Sequence, residues 1–189
     1  MGSYADDALF MSRNNIEYVE LISDDGKSKV MVIPAWQGRV MTTSAAGDEG
    51  DSYGWINYSF IKKRQIDLQF NPVGGEERFW LGPEGGVFSL YFRQGEKQIY
   101  KNWKVPPVLD IEAFKIQSQS KNCICLTKEG CLTNACGTTF YLNIKRTISL
   151  LDINEFAASF NLEFPKDIKA VAYKSDNQIT NIGNESWNK

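Results

Sequence analysis

Histidine is absent from the whole 189-residue chain. That absence removes the Ser-His and Cys-His dyads of nucleophilic catalysis, and with them every imidazole ligand or proton relay. Acid–base chemistry is left to Asp, Glu, Lys, Tyr or Cys. A long basic run is missing as well, and the formal net charge is -2, which argues against a nucleic-acid surface as the main function. No apolar run approaches the length of a membrane span and no signal peptide is visible, so no membrane span is expected. The opening Met1-Gly2-Ser3 reads as a cloning remnant. The compartment therefore stays open: periplasmic or secreted if a leader has been removed, cytoplasmic otherwise.

Cysteine is scarce and clustered. Cys123, Cys125, Cys131 and Cys136 lie within 14 residues of one another, but none of their spacings is the C-x2-C knuckle that zinc sites use. Cys123 and Cys125 are expected on opposite faces of a strand, out of reach of a common ion. No metal and no cofactor is expected, and the thiols read as small core or surface residues rather than as a disulfide.

What is present points to one β-rich domain spanning residues 1–189. Apolar residues make up 42% and charged residues 23%, the balance of a chain that folds. Aromatics reach 13% beside 15 glycines, and Val, Ile, Thr, Tyr and Phe recur in short runs that favour strands. Tyr4 to Asn15 reads as a short helix. Glu17 to Ile22 and Lys27 to Pro34 read as strands joined by Ser23-Asp24-Asp25-Gly26, a hairpin signal. Gln37 to Ser44, Gln98 to Trp103, Ile111 to Gln117, Asn122 to Thr127, Thr138 to Leu151 and Ala170 to Lys174 supply further strands, with Gly130 to Gly137 a loop or irregular strand. Asp152 caps a second short helix through Phe160. Seven or more antiparallel strands predict an all-β sandwich with one or two short helices.

The least ordinary stretch is Asn71 to Phe92. Gly74-Gly75 and Gly85-Gly86 bracket Glu76, Glu77, Arg78, Trp80 and Glu84, with Arg78 to Leu81 strand-like and Gly82-Pro83-Glu84-Gly85 a turn. Carboxylates and a guanidinium beside an indole suit a polyhydroxylated ligand: an arginine fork grips oxygens, and an aromatic face stacks on a sugar ring. The competing reading makes Glu76 or Glu77 the ion-pair partner of Arg78 and Glu84 a cap of its own turn. Asn177 and Asn181, in an amide-rich C-terminal run, add donors and acceptors suited to hydroxyls, although asparagine also serves turns. Arg39 and Arg146 read as members of structural pairs.

The blocks Gln37-Gly38-Arg39-Val40-Met41-Thr42, Gly54-Trp55-Ile56-Asn57, Gly74 through Gly86, and Ala172-Tyr173 through Asn181-Ile182-Gly183 resemble an uncharacterised bacterial family, known mainly from Bacteroidetes, with a galactose-mutarotase-like β-sandwich. The resemblance runs over nearly the whole chain. It implies sugar binding on the concave face of a large sandwich, with Arg78 and Glu84 near the cleft, whereas the glutamate–histidine chemistry of the epimerases has no histidine here to support it. It also implies relatives about twice this length, so that the chain is the N-terminal part of a larger, partial sandwich whose open sheet edges invite homo-oligomers. The expectation is a carbohydrate-binding or carbohydrate-processing domain with no assigned reaction. Its alternatives are a non-catalytic structural or interaction module, or an inactive truncated form of a sugar-active enzyme.

Overall fold

The computed structural model describes residues 2–165 and 167–187. Strands β1 (Val19–Ile22), β2 (Lys29–Ile33) and β3 (Arg39–Ser44) form a small antiparallel sheet in that order. A larger antiparallel sheet runs β4 (Lys115–Gln119), β5 (Cys123–Thr133), β6 (Thr139–Leu150), β7 (Tyr173–Asn181). Three short helices accompany them: α1 (Tyr4–Arg13), α2 (Tyr58–Lys63) and α3 (Ile153–Ser159).

Side-chain alternation decides the layers. Ile124, Leu126 and Leu132 of β5 share a face with Leu142, Ile144, Ile148 and Leu150 of β6, and all pack on Val19, Leu21, Val30, Val32 and Val40 of the small sheet. The opposite face of the small sheet carries Met31, Ile33 and Met41 onto Tyr4 and Met11 of α1 and onto Ile56, Ile61 and Val73. Every residue of β2 and β3 is buried, so the small sheet is the middle layer. Fully buried aliphatics such as Leu126 and Ile144 contribute about 2 kcal/mol each by leaving water.

The N-terminal helix is held through its first turn. Ser3 accepts a hydrogen bond from the Asp6 amide while the Asp6 carboxylate accepts one from the Ser3 amide, a capping box that satisfies two otherwise orphaned donors. Ser3 is thus a working part of the fold. One turn on, buried Asp7 accepts from the hydroxyls of Ser52 and Tyr58. Burial and the Asp7 contact push the Tyr58 hydroxyl up to about 12. Those bonds tie α1 to α2, the helix that periodicity did not reveal. Asn57 caps α2 by accepting from the Phe60 amide, a local signal in a stretch too short to show a helical stripe.

The strands read at Ile111–Gln117 and Ala170–Lys174 begin only at Lys115 and Tyr173, and four other local expectations differ from the structure. Arg78 to Leu81 is irregular, because main-chain pairing with β3 ends at Glu77 and Arg78 then turns toward Leu109 and Asp110. Gln98 to Trp103 contains a tight helical turn at Tyr100–Asn102 rather than a strand; Tyr100 and Trp103 stack with centroids 6.3 Å apart, and Asn102 donates to the Lys97 carbonyl. Gly130 to Thr133 extends β5 in regular register with β6, and the hairpin loop is only Asn134 to Thr138, closed by the Thr138 amide on Asn134 Oδ1. Cys123 and Cys125 face the same way, since residues two apart on a strand share a face; both thiols are free and meet Ser149 and Gln117.

Residues 64–114 hold no named strand, yet Phe79, Tyr91, Phe92, Val105, Val108, Leu109 and Phe114 from this stretch fill the space between the sheets. An irregular path buries as much as a strand would when its backbone groups find partners.

Candidate functional site

The free edge of β3 is covered by a short arm, Gly74 to Glu77. The Gly75 amide donates to the Trp55 carbonyl at 2.8 Å, the Glu76 amide to the Val40 carbonyl at 2.9 Å, and the Val40 amide to the Glu77 carbonyl at 3.1 Å. These bonds place two successive carboxylates at the open side of the sandwich. Glu76 reaches along β3, accepting from the Thr43 amide at 2.7 Å and the Thr43 hydroxyl at 2.9 Å. Glu77 crosses to the other sheet, meeting the Arg146 guanidinium on β6 at 2.5 Å and the Ser175 hydroxyl on β7 at 3.1 Å.

Register brings the rest of the group together. Arg146 lies opposite Asn177, and Ile148 opposite Ser175, so Tyr173, Ser175 and Asn177 stand on the same face as Arg146. The small sheet does not reach this far, and Asn177 and Ile179 are exposed there. Asn177 donates to the Ser175 hydroxyl at 2.9 Å. Burial, followed by the fields of Glu76 and Glu77, raises the Tyr173 hydroxyl above the usual phenol range. Glu76, Glu77, Tyr173, Ser175 and Asn177 thus form one polar surface built from both sheets, backed by the buried Thr43 and Arg146.

Arg78, Trp80 and Glu84 lie in a different group. The Arg78 guanidinium donates to the Leu109 carbonyl at 2.5 Å, stands 3.7 Å from the Asp110 carboxylate and lies 4.0 Å from the Trp80 ring centroid. The Trp80 indole N–H donates to Glu84 at 2.8 Å. Trp80 packs on Tyr91, which in turn stacks on Trp103. Asn181 has a third location, a turn in which it donates to the Glu185 carbonyl and accepts from the Gly183 amide. Of the residues singled out from the sequence, the structure therefore unites Glu76, Glu77 and Asn177, groups Arg78, Trp80 and Glu84 separately, and sets Asn181 apart.

A model described as a family of unknown function, DUF6786, matches residues 2–189. The chain belongs to this family. No curated protein and no solved structure matches it.

Within this DUF6786 chain a buried strip of charge joins the two groups. Arg39, 3% exposed, donates to the Gly74 carbonyl at 2.5 Å. Burial first, then the nearby Arg78, pull its guanidinium down to about 10. At the far end Asp110, also buried, accepts from the Asn71 amide and side chain, and burial raises its carboxyl above the ordinary range against the pull of those bonds. Thr43, Arg146, Tyr173 and Ser175 are the members of the Glu76 and Glu77 group that sequence reasoning did not assign to a site. The pattern Tyr173-x-Ser175-x-Asn177 was the available signal, since alternation puts all three on one face of a strand. Among the described residues no group of three or more Cys, Asp or Glu side chains could hold a metal ion, and no helix is long and apolar enough to cross a membrane.

Glu76 supplies a pH prediction. Although the residue as a whole is exposed, its carboxylate end rests against Thr43, and burial of that end raises its pKa against the lowering effect of the Thr43 bonds. A carboxyl raised on folding favours the folded state most below the unfolded pKa, and that advantage is lost as pH rises through the folded pKa. The stability of Glu76→Gln relative to the parent should therefore climb from about pH 4 to about pH 7, read as the difference between urea midpoints. A difference that falls over this range would show that ionised Glu76 stabilises the fold.

Proposed function

We propose that this domain binds or processes carbohydrate on a mutarotase-like sandwich, at the polar surface where Glu76 and Glu77 face Tyr173, Ser175 and Asn177. The observation that carries the reading is the uncovered inner face of β7. Hydroxyl, amide and carboxylate groups stand there within reach of one another, on two rigid sheets, at the side where the small sheet stops. Such groups match the donors and acceptors of a sugar ring, and placement on strands holds them to a fixed geometry. Glu76 and Glu77 sit in unequal surroundings, one on hydroxyl and amide donors and one on a guanidinium, which is the asymmetry that acid–base pairs need. With histidine absent, Tyr173 and Glu76 would be the proton-bearing groups of any reaction. The Arg78, Trp80 and Glu84 group supplies the indole of the second candidate subsite.

A structural reading rests on its own observation: both Glu77 oxygens are engaged inside the protein, so the acid acts as a clamp between sheets. Thermal shift against mono- and oligosaccharides separates the two, because a ligand that binds only the folded state raises Tm. The expected result is a shift abolished by Asn177→Ala and Glu76→Gln in proteins that remain folded, with Arg78→Ala reporting on the second subsite. No shift with any sugar in the panel would leave the clamp as the role of the acid pair. Self-association belongs to the same proposal: β4 and β7 are both edges of the larger sheet, and an unpaired edge templates a further strand. Light scattering should then report a mass above the monomer's.

A further inference from the structure

A further pocket lies farther along β5, away from Glu76 and Glu77. β4 pairs with β5 only as far as Thr127, so from Lys128 onward the β4 side of β5 has no neighbouring strand. Between that edge and the irregular segments 90–94 and 102–107 is a pocket of about 480 Å³, within the range of about 300–1,000 Å³ typical of small-molecule sites. Phe92, Val105 and Leu132 in its lining are buried apolar side chains. Arg93 and Lys104 also line it, both are exposed, and no Asp or Glu does so. Among the described residues neither cation has an ion-pair partner.

We propose that this pocket binds a small organic anion with an apolar body, of the class of medium-chain carboxylates. The apolar body would cover Phe92, Val105 and Leu132, gaining by removal from water. The carboxylate would lie between a guanidinium and an ammonium, both of which form charge-assisted hydrogen bonds with such an oxygen pair. A neutral ligand of the same shape satisfies only the first demand. The pocket is separate from the surface at Glu76 and Glu77: Leu132 lies six residues along β5 from Leu126, the partner of Arg146, or about 20 Å at strand rise. The Trp80 group is nearer, since Tyr91 lines the pocket and packs on Trp80, so the pocket is independent of the carbohydrate reading only as far as that reading rests on Glu76 and Glu77.

The structure supplies its own reporter. Cys131 lines the pocket, is exposed and has a free thiol, while exposed Cys136 does not line it. We would measure iodoacetamide modification of each cysteine by peptide mass mapping while titrating octanoate, with 1-octanol as the neutral control. Octanoate should slow alkylation of Cys131 saturably, leave Cys136 nearly unchanged, and act at about tenfold lower concentration than the alcohol. The Arg93→Ala, Lys104→Ala double variant alters two exposed side chains; it should keep its fold by circular dichroism and lose the preference for the acid. Protection of both cysteines alike, equal action of acid and alcohol, or no protection at all would overturn the proposal.

Discussion

Glu77→Leu is expected to lower folding stability by about 3–5 kcal/mol, the range for removing one partner of a buried ion pair. The cause lies less in the lost attraction than in what remains. The Arg146 side chain has 0% exposure and Glu77 24%, so deleting the acid strands a guanidinium between two sheets with its counter-ion gone. Its other contacts are a 3.4 Å bond to the Gly38 carbonyl and the Phe79 ring at 5.8 Å, neither of which carries a negative charge. The double variant Glu77→Leu, Arg146→Met should recover a large part of the loss, because an apolar pair of similar volume carries no desolvation penalty. Urea midpoints at constant m measure both. A loss below about 1 kcal/mol for Glu77→Leu would place the pair in the weak class of surface ion pairs.

Gly74→Ala should be disruptive on a similar scale, and its contrast with Gly86→Ala is the informative part. At Gly74 the backbone has φ +98, and a Cβ would stand 2.2 Å from the Trp55 carbonyl oxygen. That oxygen is main chain and is already held by the Gly75 amide, so it cannot give way without moving the arm off β3. Strain at φ and a steric overlap therefore add, for a cost above about 3 kcal/mol. At Gly86 φ is +84 but nothing lies within 4 Å of the added carbon, leaving only the left-handed penalty of about 1–2 kcal/mol. Thermal unfolding of the two variants should differ accordingly. Similar Tm losses would mean that the Trp55 contact does not constrain the arm. The same experiment bears on function, because the arm that Gly74 starts is the one that presents Glu76 and Glu77.

The two glycine pairs look equivalent in the sequence, and only the neighbours of each separate them. A similar division runs through the molecule. The antiparallel two-sheet class, the hairpin at Asp25-Gly26, the cap at Asp152 and the long strand through Phe140, Leu142 and Ile144 were legible from the residues, because alternation, capping and turn chemistry act within a few positions of one another. Strands assigned to Arg78–Leu81 and Gln98–Trp103 were not realised, since their conformation is decided by partners elsewhere: Leu109 and Asp110 for Arg78, and the aromatic stack with Tyr91 for Trp103.

The site divides in the same way. Which residue types matter, acids beside glycines and amides on a strand, is a property of the sequence, which alone determined the absence of imidazole chemistry and the β-rich class. Which of them meet was decided by tertiary structure. Ser175 lies 98 positions from Glu77 and Arg146 lies 69 from it. Their meeting depends on the register of β7 against β6 and on the edge of β3 taking the arm as its next neighbour. A slip of one residue in that register would turn Tyr173, Ser175 and Asn177 to the opposite face, and no local signal reports it. Sheet register is set by the burial of the whole inner face, and that is a sum over residues distant in sequence.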